Sequence, residues 1–80
     1  MNTQDVLAIA RKMRLRYAIQ NARGYYWNAQ AKRFVSELDG SYTTYSSYAK
    51  AEKSAARLIN SGQLIDSVVP DPAALRALFN

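Results

Sequence analysis

The side chains with the most chemical reach in this sequence are cationic and aromatic, and they gather in its first half. Arg14, Arg16 and Arg23 precede the run Tyr25-Tyr26-Trp27, and Lys32 and Arg33 follow it. Basic groups beside exposed rings on a sheet suit nucleic acid, because cations meet phosphates and rings stack on bases. Arg14, Arg16, Arg23, Tyr25, Lys32 and Arg33 are therefore the candidate nucleic-acid-binding residues. The competing reading makes Tyr26 or Trp27 the core residue of a small sheet and its neighbour a half-exposed strand tyrosine, since a lone tryptophan is usually needed inside.

Three other sets have the right types for binding. Lys50, Lys53 and Arg57 recur at i, i+3 and i+7, either as a stripe for phosphates or as the wet face of an amphipathic helix. Tyr42, Tyr45 and Tyr48 offer large amphipathic contact area at low entropic cost, which suits a protein interface, although Tyr45 and Tyr48 also flank a helix start and could simply staple it. Leu75, Leu78 and Phe79 form an anchor set that docks either on a partner or on the chain's own sheet. Tyr42, Tyr45, Tyr48, Leu75 and Phe79 are the candidate protein-interface residues.

Catalytic chemistry is hard to assemble from what is left. The sequence has no cysteine and no histidine, which removes thiolate nucleophiles, disulfides and the commonest metal ligand and general base. Glu37 and Asp39 are two apart and could share a strand face, but they flank a turn, where acids are common. Gly24, Gly40 and Gly62 are widely separated, so there is no phosphate-cradling glycine loop. None of the seven serines lies in a nucleophile-elbow context. The expectation is a protein that is not an enzyme, with no cofactor and no metal.

The net charge of +5 is unevenly spread. Residues 1–36 carry seven bases against Asp5, a balance of +6, while residues 37–80 carry four bases against five acids, a balance of −1. No acid lies between Asp5 and Glu37. Such a block is either an electrostatic footprint for an anionic partner or a solubilising face. No segment approaches the roughly 20 apolar residues of a membrane span, and the start lacks the basic-then-apolar order of a signal peptide. The expected location is the cytoplasm, away from membranes.

These side chains need elements to hold them. Residues 3–13 predict a short helix, capped by Asn2 or Thr3, with Asp5 in its first turn and Val6, Ile9, Ala10 and Met13 at helical spacing. Leu15, Tyr17 and Ile19 then alternate with polar or small residues, which is strand spacing, although one helix from 3 to about 21 is also compatible with the residue types. Asn21–Gly24 predicts a turn, 25–27 a strand, 28–31 a connection, 32–36 a third strand with Phe34 facing away from Arg33 and Val35, and Asp39-Gly40 another turn before a short extended stretch at 42–45. Ser46 or Ser47 caps a helix over about 47–60, with Tyr48, Ala51, Ala55, Leu58 and Ile59 as its apolar stripe and Gly62 as its stop. Leu64–Val69 reads as a strand, and Asp71-Pro72 starts a last helix whose Leu75, Leu78 and Phe79 pack back on the body. The whole is one domain over residues 1–80. It is α+β: a small, mostly antiparallel sheet of three to four strands packed on one main helix, with short N- and C-terminal helices.

The series Tyr17-Ala18-Ile19, Gly24-Tyr25-Tyr26-Trp27-Asn28, Phe34, Tyr45-Ser46 leading into Ala49–Ala56, and Val69-Pro70 resembles small proteins encoded by phages and prophages. In those proteins a Gly-Tyr-Trp hairpin is followed by a Tyr-Ser or Tyr-Thr stretch capping an Ala-rich helix. The resemblance covers about residues 15–70. It implies the β-rich start, the single packed helix and a mobile-element origin, and it carries over no catalytic or binding residues. The residues and the resemblance together leave two expected functions. One is a binder of nucleic acid or a nucleoprotein complex that uses the basic half. The other is a stoichiometric inhibitor or regulator of a host protein, of the anti-CRISPR or anti-restriction kind. The sequence leaves the oligomeric state open.

Overall fold

The computed structural model describes residues 3–79. Helix α1 spans Thr3–Lys12, with Asp5 in its first turn and Arg11 and Lys12 in its last. The expected cap at Asn2 or Thr3 lies outside the described residues and side chains. At the other end, the Leu15 amide donates to the Ala10 carbonyl (2.9 Å) and the Arg14 amide to Arg11 (3.3 Å), the paired bonds of a Schellman cap. The cap requires a left-handed residue, and Arg14 supplies it with φ 57°. After this reversal the chain is strand β1, Tyr17–Gln20, so the alternating pattern prevails over the single long helix.

Strands β2 (Tyr26–Asn28), β3 (Arg33–Val35) and β4 (Ser67–Pro70) complete an antiparallel sheet in the order β3-β2-β1-β4. Asn21 fixes the first hairpin, its side-chain oxygen accepting from the Arg23 and Tyr25 amides at 3.0 Å, and Gly24 provides the left-handed residue with φ 82°. Asn28 does the same for the second, accepting from the Ala31 amide at 2.9 Å; there Lys32 holds the left-handed position with φ 57°. β1 and β2 pair only where Gln20 meets Tyr26. Below that point the stretch 43–45 enters between them: the Thr43 amide donates to the Trp27 carbonyl (2.8 Å), while Tyr45 and Tyr17 exchange backbone bonds of 2.7 and 2.8 Å. The predicted extended stretch at 42–45 is thus a single bridge, Tyr17↔Tyr45. Tyr17 spends both backbone groups on Tyr45, so its other neighbour can be Pro70, which has no N–H to donate, without a ladder bond being lost.

One sheet face carries the core. Tyr17, Ile19, Trp27 and Val68 point to it, where they pack with Ala10 of α1 and with Ala51 and Ala55 of helix α2, Tyr48–Asn60. The alanines let α2 approach the strands closely. Tyr48 meets Tyr17 edge-on at 5.6 Å, and Phe34 meets Trp27 at 5.1 Å. Ser47 caps α2, accepting from the Lys50 amide at 3.2 Å, and Gly62 (φ 95°) ends it in a second Schellman cap.

The other face is covered too, beyond the expected packing of the sheet on one main helix. Tyr26 and Ala18 are buried there. The Tyr42 ring lies 5.2 Å from Tyr26, and its hydroxyl donates to Asp71 Oδ1 at 2.6 Å. Asp71 also accepts the Ala73 amide, capping helix α3, Pro72–Phe79. Arg76 of α3 then pairs with Glu37 of a single 3-10 turn, Glu37–Asp39. Because these polar contacts seat α3, its apolar residues do not close on the body as expected: Leu75 is half-buried, but Leu78 is exposed and Phe79 is 58% exposed. Two further corrections concern α2 and the loop beyond it. Ile59 turns outward, and β4 begins at Ser67 rather than Leu64, which is 83% exposed on the loop after the cap. No helix among the described residues is long and apolar enough to cross a membrane.

Candidate nucleic-acid interface

The antiparallel register sorts the expected binding residues into three places. Arg23 and the 45%-exposed Tyr25 sit in the β1–β2 hairpin. Arg14 and Arg16 lie before the start of β1, at the opposite end of the sheet, about 13 Å of strand away. Lys32 and Arg33 share that end, on the β2–β3 hairpin. The inserted 43–45 stretch places them three inter-strand spacings from β1, about 14 Å. That span corresponds to about four nucleotides of one B-form strand. The six residues therefore do not form one patch. Four of them share an end of the sheet, and Arg23 and Tyr25 face the other way.

Their side chains also differ in what they already hold. Arg16 donates from Nε to Thr44 Oγ1 (2.8 Å) and from a terminal nitrogen to the Thr44 carbonyl (3.0 Å). It fastens the 43–47 segment beside β1, with donors left over. Arg14, Arg23, Lys32 and Arg33 are exposed and make no side-chain hydrogen bond or ion pair among the described residues. Arg76–Glu37 is the one ion pair among those residues, so ten of the eleven bases lack a carboxylate partner there. Three of the six acids are engaged elsewhere: Glu37 with Arg76, Asp71 with Tyr42, and Asp39 with the Ser41 hydroxyl, which in turn accepts from Asn28. Glu37 and Asp39 do not act as a pair. Among the described residues, no three carboxylates cluster closely enough to hold a metal ion.

The sequence reading missed a cleft. Between the C-terminal end of α1 and the start of α2 lies an open cleft of about 350 Å³, lined by Arg11, Arg14, Tyr17, Ser46, Ser47 and Tyr48 over Ala10 and Leu15. Lys50 reaches its rim, donating from Nζ to Ser46 Oγ at 3.1 Å. Arg11 carried no binding signal in the sequence and the two serines read only as helix caps, because the Tyr17↔Tyr45 bridge is what brings residues 11–14 against residues 46–48. The stripe Lys50, Lys53, Arg57 is exposed along α2.

The candidate protein-interface residues divide as well. Tyr42, Tyr45 and Tyr48 are half-buried and packed against Tyr26, Tyr17 and the core, so much of their surface is used within the fold. Burial, with the hydrogen bond to Asp71 second, pushes the Tyr42 hydroxyl up to about 12. Burial also raises Tyr26, with Glu37 adding to the effect. Leu75 is half-buried and Phe79 exposed. The most exposed large apolar side chain is one the sequence reading passed over, Leu38, at 93% on the 3-10 turn. No protein-family model, curated protein sequence or solved structure matches this chain.

Proposed function

We propose that this chain is a non-catalytic binding protein that engages nucleic acid, free or within a nucleoprotein complex, through its basic N-terminal half. The observation that carries the reading is the free cationic end of the sheet. Arg11, Arg14, Lys32 and Arg33 reach solvent there with no carboxylate partner among the described residues, and Arg16 keeps donors to spare. Unneutralised cations gathered at one end of the sheet supply the sequence-independent part of nucleic-acid affinity. The resemblance to small phage and prophage proteins, many of which act stoichiometrically, fits a binder working in the bacterial cytoplasm.

The test is a gel shift or anisotropy titration across salt. About four phosphate contacts give a log–log slope near −3 for a single strand and near −4 for a duplex. Affinity that does not change with salt would sink the reading. A second reading, a stoichiometric inhibitor or regulator of host machinery of the anti-CRISPR or anti-restriction type, is favoured by the exposed Leu38, Leu64 and Phe79. It predicts a protein complex that survives nuclease digestion during pull-down from bacterial lysate and tolerates moderate salt.

A further inference from the structure

The cleft between α1 and α2 has a one-sided hydrogen-bonding chemistry. Arg11 and Arg14 are donors only, and among the described residues neither side chain is hydrogen-bonded or ion-paired. Ser46 and Ser47 each already use Oγ as an acceptor, from Lys50 Nζ at 3.1 Å and from the Lys50 amide at 3.2 Å. Each hydroxyl hydrogen remains to be donated, and no carboxylate lines the cleft. Two arginines and two serines thus line one cleft with no Asp or Glu among its walls, a set that suits a tetrahedral, acceptor-only phosphate. The space exceeds a phosphate, since about 30 Å³ per water makes it equivalent to roughly twelve waters, and its remaining wall is aromatic and apolar: Tyr48, Tyr17 and Leu15.

The backbone supplies a separate observation. Among the described residues, both non-glycine residues in the left-handed region are basic, Arg14 and Lys32. Glycine is the residue of least strain there, as Gly62 illustrates at the equivalent position after α2. Arg14 occupies that position in place of a glycine and is one of the residues that line the cleft.

We propose that this cleft binds a nucleotide phosphate, held by Arg11, Arg14, Ser46 and Ser47, with the attached sugar and base against Tyr48. The inference deepens the nucleic-acid reading and rests on it for the source of the nucleotide. A recessed site takes a strand that can bend into it, so single-stranded nucleic acid is favoured over duplex. Free mononucleotide shares the same chemistry, and the experiment separates the two sources.

The experiment titrates the protein with a single-stranded oligonucleotide, the same sequence as duplex, and adenosine monophosphate. Anisotropy gives affinity, and amide NMR shifts of residues 10–15 and 46–50 report the cleft. The variants are Arg14→Gly, which keeps the left-handed backbone, Arg11→Ala, and Lys32→Ala and Arg23→Ala as charge controls outside the cleft. The expected result is a single-strand preference, with cleft amides shifting and affinity falling about tenfold or more in each cleft variant and severalfold less in each control. Shifts with the mononucleotide alone, abolished by Arg14→Gly, support the cleft and overturn nucleic acid as its partner. Oligonucleotide binding that Arg14→Gly and Arg11→Ala leave unchanged overturns the cleft while the nucleic-acid reading stands. Silence of the cleft amides toward every ligand overturns the proposal.

Discussion

Arg14 offers a clean stability measurement, because two substitutions there differ only in backbone freedom. Both Arg14→Gly and Arg14→Ala remove the guanidinium, and with it a favourable charge at the end of α1, worth about 0.3–1 kcal/mol. Only glycine also relieves the left-handed φ of 57°. An L-residue in that region loses about 1–2 kcal/mol, and glycine gives back about 0.4–1 kcal/mol through its freer unfolded chain. Arg14→Gly should therefore be more stable than Arg14→Ala by about 1 kcal/mol. For a domain of this size that is a difference of about 4–8 °C in Tm. Urea unfolding followed by fluorescence of Trp27, the lone tryptophan and a buried one, reads the difference directly. Gly62→Ala is the reciprocal case. Its φ is 95° and an added Cβ would meet nothing within 4 Å, so any loss there is backbone strain, again about 1 kcal/mol. Equal stabilities for the two Arg14 variants, or a more stable alanine, would refute the Schellman-cap account of where α1 ends.

Other positions make different predictions. Ile19 is the largest fully buried side chain, so Ile19→Ala should lose about 2–5 kcal/mol in the same urea assay; a loss under ~1 kcal/mol would mean the β1 core contacts are misassigned. Ser47→Ala removes the cap on the Lys50 amide and should lose about 0.5–2 kcal/mol, with helicity by circular dichroism falling at α2. The Tyr42 hydroxyl lies above its unfolded value of 10.0, at about 12. A raised folded value gives stability that is complete below pH 10 and lost as pH climbs from 10 towards 12. Alkaline titration should show the wild-type chain losing stability across that window and Tyr42→Phe losing less, with Tyr26 keeping a residual slope. Identical slopes would show that neither burial nor the bond to Asp71 raises the Tyr42 hydroxyl in solution.

Local sequence determined the parts whose energetics are local. The Asn21–Gly24 turn, the serine cap and glycine stop of α2, and the Asp71-Pro72 start of α3 each rest on bonds within a few residues, and each stands where the residue types put it. The alternation at 15–20 identified β1, although those residue types also tolerate helix. What decides between the two is burial of Tyr17 and Ile19 against α2. Tertiary structure alone decided the grouping of charges. Arg23 and Tyr25 adjoin the other candidates in sequence, yet an antiparallel strand carries them to the far end of the sheet. Arg14 and Ser46 lie far apart in sequence, yet the Tyr17↔Tyr45 bridge makes them walls of one cleft. A pattern of residue types records which face a side chain prefers. It does not record which distant segment is paired beside it, and here that pairing sets where the free cations converge.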